Sequence, residues 1–207
     1  MTLVRDEREA LCDTMLAAGP GAPTLCEGWT VLDLAAHLAL RDRRPDAAAG
    51  MHVRPLAHRL ETVSRQYAAK GLPALVELVR QGPPRWSPAS LAPVDATVNL
   101  AELVVHHEDV RRAVGLGPRE DVPALSDAVW RMLRPASLLA MRSLRVGVVA
   151  VSTDGRRQVL RPGSYPVVLT GTPVDLLLRV YGRRAAVVDV GGPGLSVARF
   201  EAADAGI

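Results

Sequence analysis

Thr24-Leu25-Cys26-Glu27-Gly28-Trp29-Thr30-Val31-Leu32-Asp33-Leu34-Ala35-Ala36-His37-Leu38 reads as a loop that turns into a helix. Thr30 is placed to cap that helix, with Asp33 at the third helical position bonding back, an Asp form of the capping box. Behind the cap, Val31, Leu34, Ala35 and Leu38 recur at helical spacing, and the pattern stops before Pro45. His37 sits in the middle of this apolar run, so its ring points inward or toward the domain edge. Taken alone, such a histidine reads as a core residue satisfied by a hydrogen bond.

Working outward, the chain before this stretch is helical over residues 3–18, with Leu3, Leu11, Met15 and Leu16 among charges and a stop at Gly19-Pro20-Gly21. After it, a third helix begins at Arg54-Pro55 and ends at Gly71. A short one follows over 72–80, broken by Gly82-Pro83-Pro84. Asp95 reads as the cap of a longer helix over 96–114, closed by Gly115 and Gly117-Pro118. Another runs from Pro123 to about Leu144, with Pro135 kinking or splitting it. Antiparallel helices with short or medium connections describe a bundle.

The period changes after residue 144. Residues 145–152 (RVGVVAVS) are rich in Val and lead through Thr153-Asp154-Gly155 into 156–160, a hairpin signal. A third strand is expected over 165–170, a helix opening at Thr172-Pro173 and ending at Gly182, and a further strand over 185–190. The fold class is therefore α+β, a helical bundle over 1–144 followed by a small α+β domain over 145–207.

Composition excludes several functions. Hydrophobic residues make up 48% and aromatic ones only 3%, so the core is aliphatic and no base-stacking surface is expected. The net charge of +3 and pI near 9.3 invite a nucleic-acid reading. Lys70 is the only lysine, however, and the arginines are interspersed with acids rather than gathered in a stripe, so no nucleic-acid partner is expected. Two cysteines, Cys12 and Cys26, are too few for a disulfide framework and read as small buried hydrophobes. No signal peptide and no membrane span is legible, which gives a cytoplasmic expectation with both thiols reduced.

The chemistry concentrates in Asn99-Leu100-Ala101-Glu102-Leu103-Val104-Val105-His106-His107-Glu108-Asp109. Glu102 and His106 are four apart, one helical turn, and so share a face. A carboxylate among Leu100, Leu103, Val104 and Val105 is costly unless something positive compensates it. A Glu–His pair of this spacing, joined by a histidine from a facing helix, is a common way for a bundle to hold a divalent ion. The same spacing also fits an exposed surface pair, or His106 paired with Asp109. His107 is a rival ligand, because a rotation of about 100° about the helix exchanges it with His106. Glu108-Asp109 with Arg111-Arg112 reads as a solvated face.

The stretch 24–38 closely resembles the start of the DinB-like, mycothiol-dependent maleylpyruvate isomerase family, whose pattern is Gly-Trp-(Ser/Thr)-Val-x-Asp-x-x-x-His-Leu. Residues 101–113 resemble the second metal-ligand helix of that family, and 171–183 a motif of its C-terminal domain. The doublet His106-His107 is more like an uncharacterised subgroup than the isomerase itself. The resemblance implies a DinB-like four-helix bundle holding a divalent metal, usually zinc, on His37, Glu102 and His106. Three protein ligands leave a position for a thiol or water, so the implied activity is a metal-dependent isomerase or S-transferase acting on a small molecule with mycothiol. Arg183, by the same resemblance, is the residue to clamp a substrate carboxylate. A sensor or store that uses the same site without catalysis is the alternative, and a homodimer is compatible with such a bundle. Cys26 lacks a base at local spacing and is not expected to be a nucleophile, and Trp29 is expected to anchor its loop.

Overall fold

The computed structural model describes residues 2–48, 50, 53–91, 95–120 and 122–203. They form two compact units, Met1–Arg119 and Glu120–Ile207.

In the first unit α1 spans Leu3–Ala18 and α2 spans Val31–Arg43, the latter opened by the expected capping box between Thr30 and Asp33. A single turn, α3 (Pro45–Ala48), and a 3-10 turn (Arg54–Leu56) lead into α4 (Ala57–Ala68) and α5 (Leu72–Gln81). The helix expected over 96–114 begins instead as a π-type turn, Asp95–Asn99, and becomes α6 only over Leu100–Ala113. Asn99 is fastened from both sides at this junction: Arg41 Nη1 donates to its Oδ1 at 2.9 Å, and its Nδ2 donates to the Ala89 carbonyl at 2.8 Å. The capping role expected of Asp95 concerns a side chain outside the described residues.

Helix α1 packs against α5 and α6, and α2 against α4 and α5. The shared core is aliphatic, as the composition requires: Leu11, Met15, Leu34, Leu75, Val79 and Val104 are all fully buried. Each such side chain contributes roughly 1.5–3 kcal/mol by leaving water. Cys12 belongs to this core. Burial pushes its thiol up to about 11, so it behaves as the small hydrophobe the sequence suggests. Leu40, Ala47 and Val63 make a satellite cluster that seats α4 beside α2.

The second unit begins with α7 (Pro123–Ala140), which passes through Pro135 without splitting. Strands β1 (Val148–Ser152), β2 (Arg157–Arg161), β3 (Val167–Gly171) and β4 (Val188–Gly191) form one sheet in the order β2-β1-β3-β4. The expected hairpin joins β1 and β2, with Gly155 at φ 87° in its turn. β1 pairs with β3 in parallel, Val148 opposite Val167, and β3 with β4 antiparallel. Helix α8 (Pro173–Val180), capped by Thr172, follows β3, and α9 (Gly194–Ala202) follows β4.

The two units divide between Arg119 and Glu120, and the change of composition near 144 lies within the second. Helix α7 packs on α8 and β2, and side chains stitch it there. Ser137 Oγ donates to the Leu160 carbonyl at 2.9 Å, and Gln158 Nε2 to the Trp130 carbonyl at 2.9 Å. Composition marks where strands begin; the apolar face of α7 decides which core it joins. Among the described residues, no helix is long and apolar enough to cross a membrane.

Candidate metal centre

The capping box sets where α2 starts, and with it the face on which His37 and, one turn later, Arg41 project. Glu102, His106 and Asp109 form the matching stripe on α6. His106 Nε2 lies 3.5 Å and His37 Nε2 3.8 Å from Glu102 Oε2. The two imidazoles meet edge to face, with ring centroids 5.2 Å apart. One ligating atom from each of the three residues lies within 4.8 Å of the others.

Those separations are too long for hydrogen bonds. His37 Nε2 is in fact buried with no hydrogen-bond partner. A buried polar atom in that condition costs about 1–3 kcal/mol, unless something the protein binds satisfies it. Ligands of a tetrahedral ion at bond lengths of about 2.0–2.1 Å stand roughly 3.4 Å apart, close to the spacing here. Two imidazoles and a carboxylate are a donor set suited to zinc, iron or nickel. The residues present therefore fit a divalent metal.

The charges arrange themselves accordingly. Burial depresses the pKa of His37, favouring a neutral ring. Burial acts to raise that of Glu102, but the imidazoles of His106 and His37 outweigh it and hold the carboxyl well below its usual range. Burial likewise acts to lower the pKa of His106, and its hydrogen bond with Asp109, with Cys26 and the Glu102 carboxylate nearby, lifts it well above the ordinary value instead. Arg41 adds a cation beside this pair, its Nε 3.6 Å from Glu102 Oε2.

Around this triad, Asp109 Oδ2 faces His106 Nδ1 at 2.9 Å and accepts from Cys26 Sγ at 3.2 Å. The pairing of His106 with Asp109 and its alignment with Glu102 are therefore not alternatives, since the ring uses one nitrogen for each. The Trp29 ring lies 5.2 Å from that of His37, so this residue buttresses a site residue.

His107 is on the other side of α6. Its Nδ1 is 2.8 Å from Glu7 Oε1, and its Nε2 is 2.9 Å from Thr14 Oγ1. Glu7 Oε2 accepts from Arg119 Nη1 at 2.7 Å, and Arg119 Nε donates to Glu108 Oε1 at 2.7 Å. Arg112 Nε donates to Glu108 Oε2 at 2.6 Å. The reading of Glu108-Asp109 as a solvated face is thus overturned: both are 0% exposed. The i, i+4 pairing of Glu108 with Arg112 was visible in the sequence, but the partners Glu7 and Arg119 lie far off along the chain.

This network predicts that the first unit loses stability in acid. Burial alone would raise the Glu7 pKa, but the hydrogen bonds from His107 and Arg119 bring it from 4.5 to about 2. A depressed carboxyl contributes stability that is fully present above pH 4.5 and lost as pH falls toward 2. The shift corresponds to roughly 3 kcal/mol at about 1.4 kcal/mol per unit. Urea midpoints measured between pH 6 and pH 2 should therefore fall less in Glu7→Gln than in the parent; equal acid sensitivity would remove Glu7 as the cause.

Arg183 belongs to the second unit, just past the end of α8, where its Nη1 donates to the Tyr181 carbonyl at 2.9 Å. Its role as a carboxylate clamp rests on the sequence resemblance.

No family model matches the chain, and no curated protein matches it either. Two solved structures do share its fold. One is a mycothiol-dependent maleylpyruvate isomerase, 21% identical over 91% of this chain and 90% of the solved one, with a TM-score of 0.54. The other is a histidine-to-alanine variant of a mycothiol-dependent maleylpyruvate isomerase, 20% identical over 91% and 90%, with a TM-score of 0.51. Likeness at that identity establishes the architecture, and the α+β fold expected from the sequence is the one found.

Proposed function

We propose that this chain is a metal-dependent enzyme that acts on a small molecule with a low-molecular-weight thiol as cosubstrate, in an isomerase or S-transferase reaction. Its divalent ion, zinc by donor set, would be held by His37, Glu102 and His106. The observation that carries the proposal is the buried, unpartnered Nε2 of His37, aimed at the same point as Glu102 and His106. The thiol is supported by the solved structures of the same fold, which are of a mycothiol-dependent enzyme.

Bound there, the metal would supply a Lewis acid that brings the pKa of a coordinated thiol or water toward neutrality. The rest is the work of the chain. Glu102 contributes the negative charge that selects a cation. His37, whose burial disfavours the charged ring, offers a lone pair at Nε2. Arg41, tied to Asn99 and facing Glu102, holds that carboxylate on the centre's side of α6. The His37 and His106 side chains are only 14% and 10% exposed, which keeps bulk water from competing at the ligating atoms.

Elemental analysis of the purified chain beside a His37→Ala, His106→Ala double variant tests the site. One equivalent of divalent metal in the parent and none in the variant is expected. The thiol is tested on the cobalt-loaded parent, where an added thiol should produce a sulfur-to-cobalt charge-transfer band that water does not. A parent that binds no added zinc sinks the proposal. A loaded parent indifferent to thiols favours a metal-binding sensor or store on the same site.

A further inference from the structure

We infer that the loop from Thr24 to Thr30 positions the metal centre, with Cys26 and Asp109 acting as positioning residues through His106. The inference rests on His106 being a ligand, as proposed above, and says what makes it one.

An imidazole that ligates through Nε2 must carry its proton on Nδ1. Asp109 Oδ2 stands 2.9 Å from Nδ1, in place to accept that proton and so to hold the ring with Nε2 turned to the centre. The same oxygen, Oδ2, accepts the Cys26 thiol at 3.2 Å, which holds the carboxylate in the rotamer that meets the ring. Asp109 is fully buried, so this rotamer is not maintained by bulk water. The backbone joins in as well: Leu25 N–H donates to the Asp109 carbonyl at 3.1 Å.

The other end of the loop reaches the other histidine. Trp29 lies against His37 with the rings tilted at 55°. Internal bonds make the loop rigid enough to serve both. Thr24 Oγ1 accepts from Cys26 N–H at 3.2 Å and donates to the Trp29 carbonyl at 3.0 Å. Pro23 and Thr30 form an isolated β-bridge at its base, and Gly28 at φ 76° makes the turn. Imidazoles from two separate helices are thus steadied by one loop.

Cys26, His106 and Asp109 also lie close enough to be ligands themselves. Their spacing argues for positioning instead. Thiol and imidazole each stand at hydrogen-bond distance from the carboxylate and are satisfied without an ion, whereas His37 Nε2 is not.

The test uses the full chain as parent, Cys26→Ala, Cys26→Ser and Asp109→Asn, each titrated with zinc against a chromophoric chelator and with cobalt for its visible spectrum. The parent should bind one equivalent. Asp109→Asn should lose zinc affinity by about 10–100-fold and shift the cobalt bands. Cys26→Ala should move both readouts in the same direction by less, and Cys26→Ser, which keeps a donor, should recover toward the parent. The two Cys26 variants keep the test decisive if Asp109→Asn does not fold. Variants that match the parent in affinity and spectrum would overturn the inference and leave the ligands intact. Two equivalents in the parent falling to one in Cys26→Ala would also overturn it, making Cys26 a ligand of a second ion. A parent that binds neither metal fails the underlying assignment of ligands, and is distinguished because it fails before any variant is compared.

Discussion

Glu108→Ala is expected to destabilise the helical unit by about 3–5 kcal/mol. The carboxylate is completely buried and is engaged on both oxygens, by Arg119 at 2.7 Å and Arg112 at 2.6 Å, with Arg111 3.6 Å away. Removing it takes away the carboxylate that bridges Arg112 and Arg119, although Glu7 still accepts from Arg119. Guanidinium groups do not lose their protons in proteins, so the loss cannot be relieved by titration. Screening by salt offers little remedy, because ions reach exposed pairs far better than dry ones. Urea unfolding at neutral pH, followed by far-ultraviolet circular dichroism, checks the size of the effect. Repeating it at high salt checks the cause. A loss below about 1 kcal/mol, in the range of exposed pairs, would mean that water already enters the network.

The same network explains which parts of the molecule the sequence discloses. Helix limits were legible wherever the chain announces them locally. Thr30 and Asp33 bond across one turn, Gly19 and Gly82 stop helices, and Pro173 opens one behind Thr172. The pairing of Glu102 with His106 was legible for the same reason, since a helix makes near neighbours of residues four apart. What the sequence concealed depends on partners far away. Cys26 meets Asp109, and Glu7 meets both His107 and Arg119. Glu108-Asp109 with Arg111-Arg112 therefore looks solvated until the elements that bury the two acids are in place. Helix α9 was missed for want of a local signal. It follows Gly191-Gly192-Pro193, has no side-chain cap, and buries only Ser196 and Phe200. Helix α7 is amphipathic like the bundle helices, and its sequence does not say which core it covers.

The adjacent histidines of α6 should separate completely in their effects. His106→Ala is expected to lower metal affinity on the order of 100-fold, since the roughly 10–16 kcal/mol of a four-ligand zinc site divides into about 2.5–4 kcal/mol per ligand. His107→Ala should bind one equivalent as tightly as the parent, because its ring faces Glu7 and Thr14 on the far side of the helix. Its cost should appear in stability instead, about 2–3 kcal/mol, as Glu7 and Thr14 are left facing a cavity without their partner. Stability alone does not discriminate, since His106→Ala also strips Asp109 of the ring it pairs with. Metal content does, and isothermal titration with zinc on both variants reads it directly. If His107→Ala lost the metal and His106→Ala kept it, α6 would have to be turned by about 100° from the orientation described. Glu102 would then face away from the ligand that remained, and the centre built on His37, Glu102 and His106 would be dissolved.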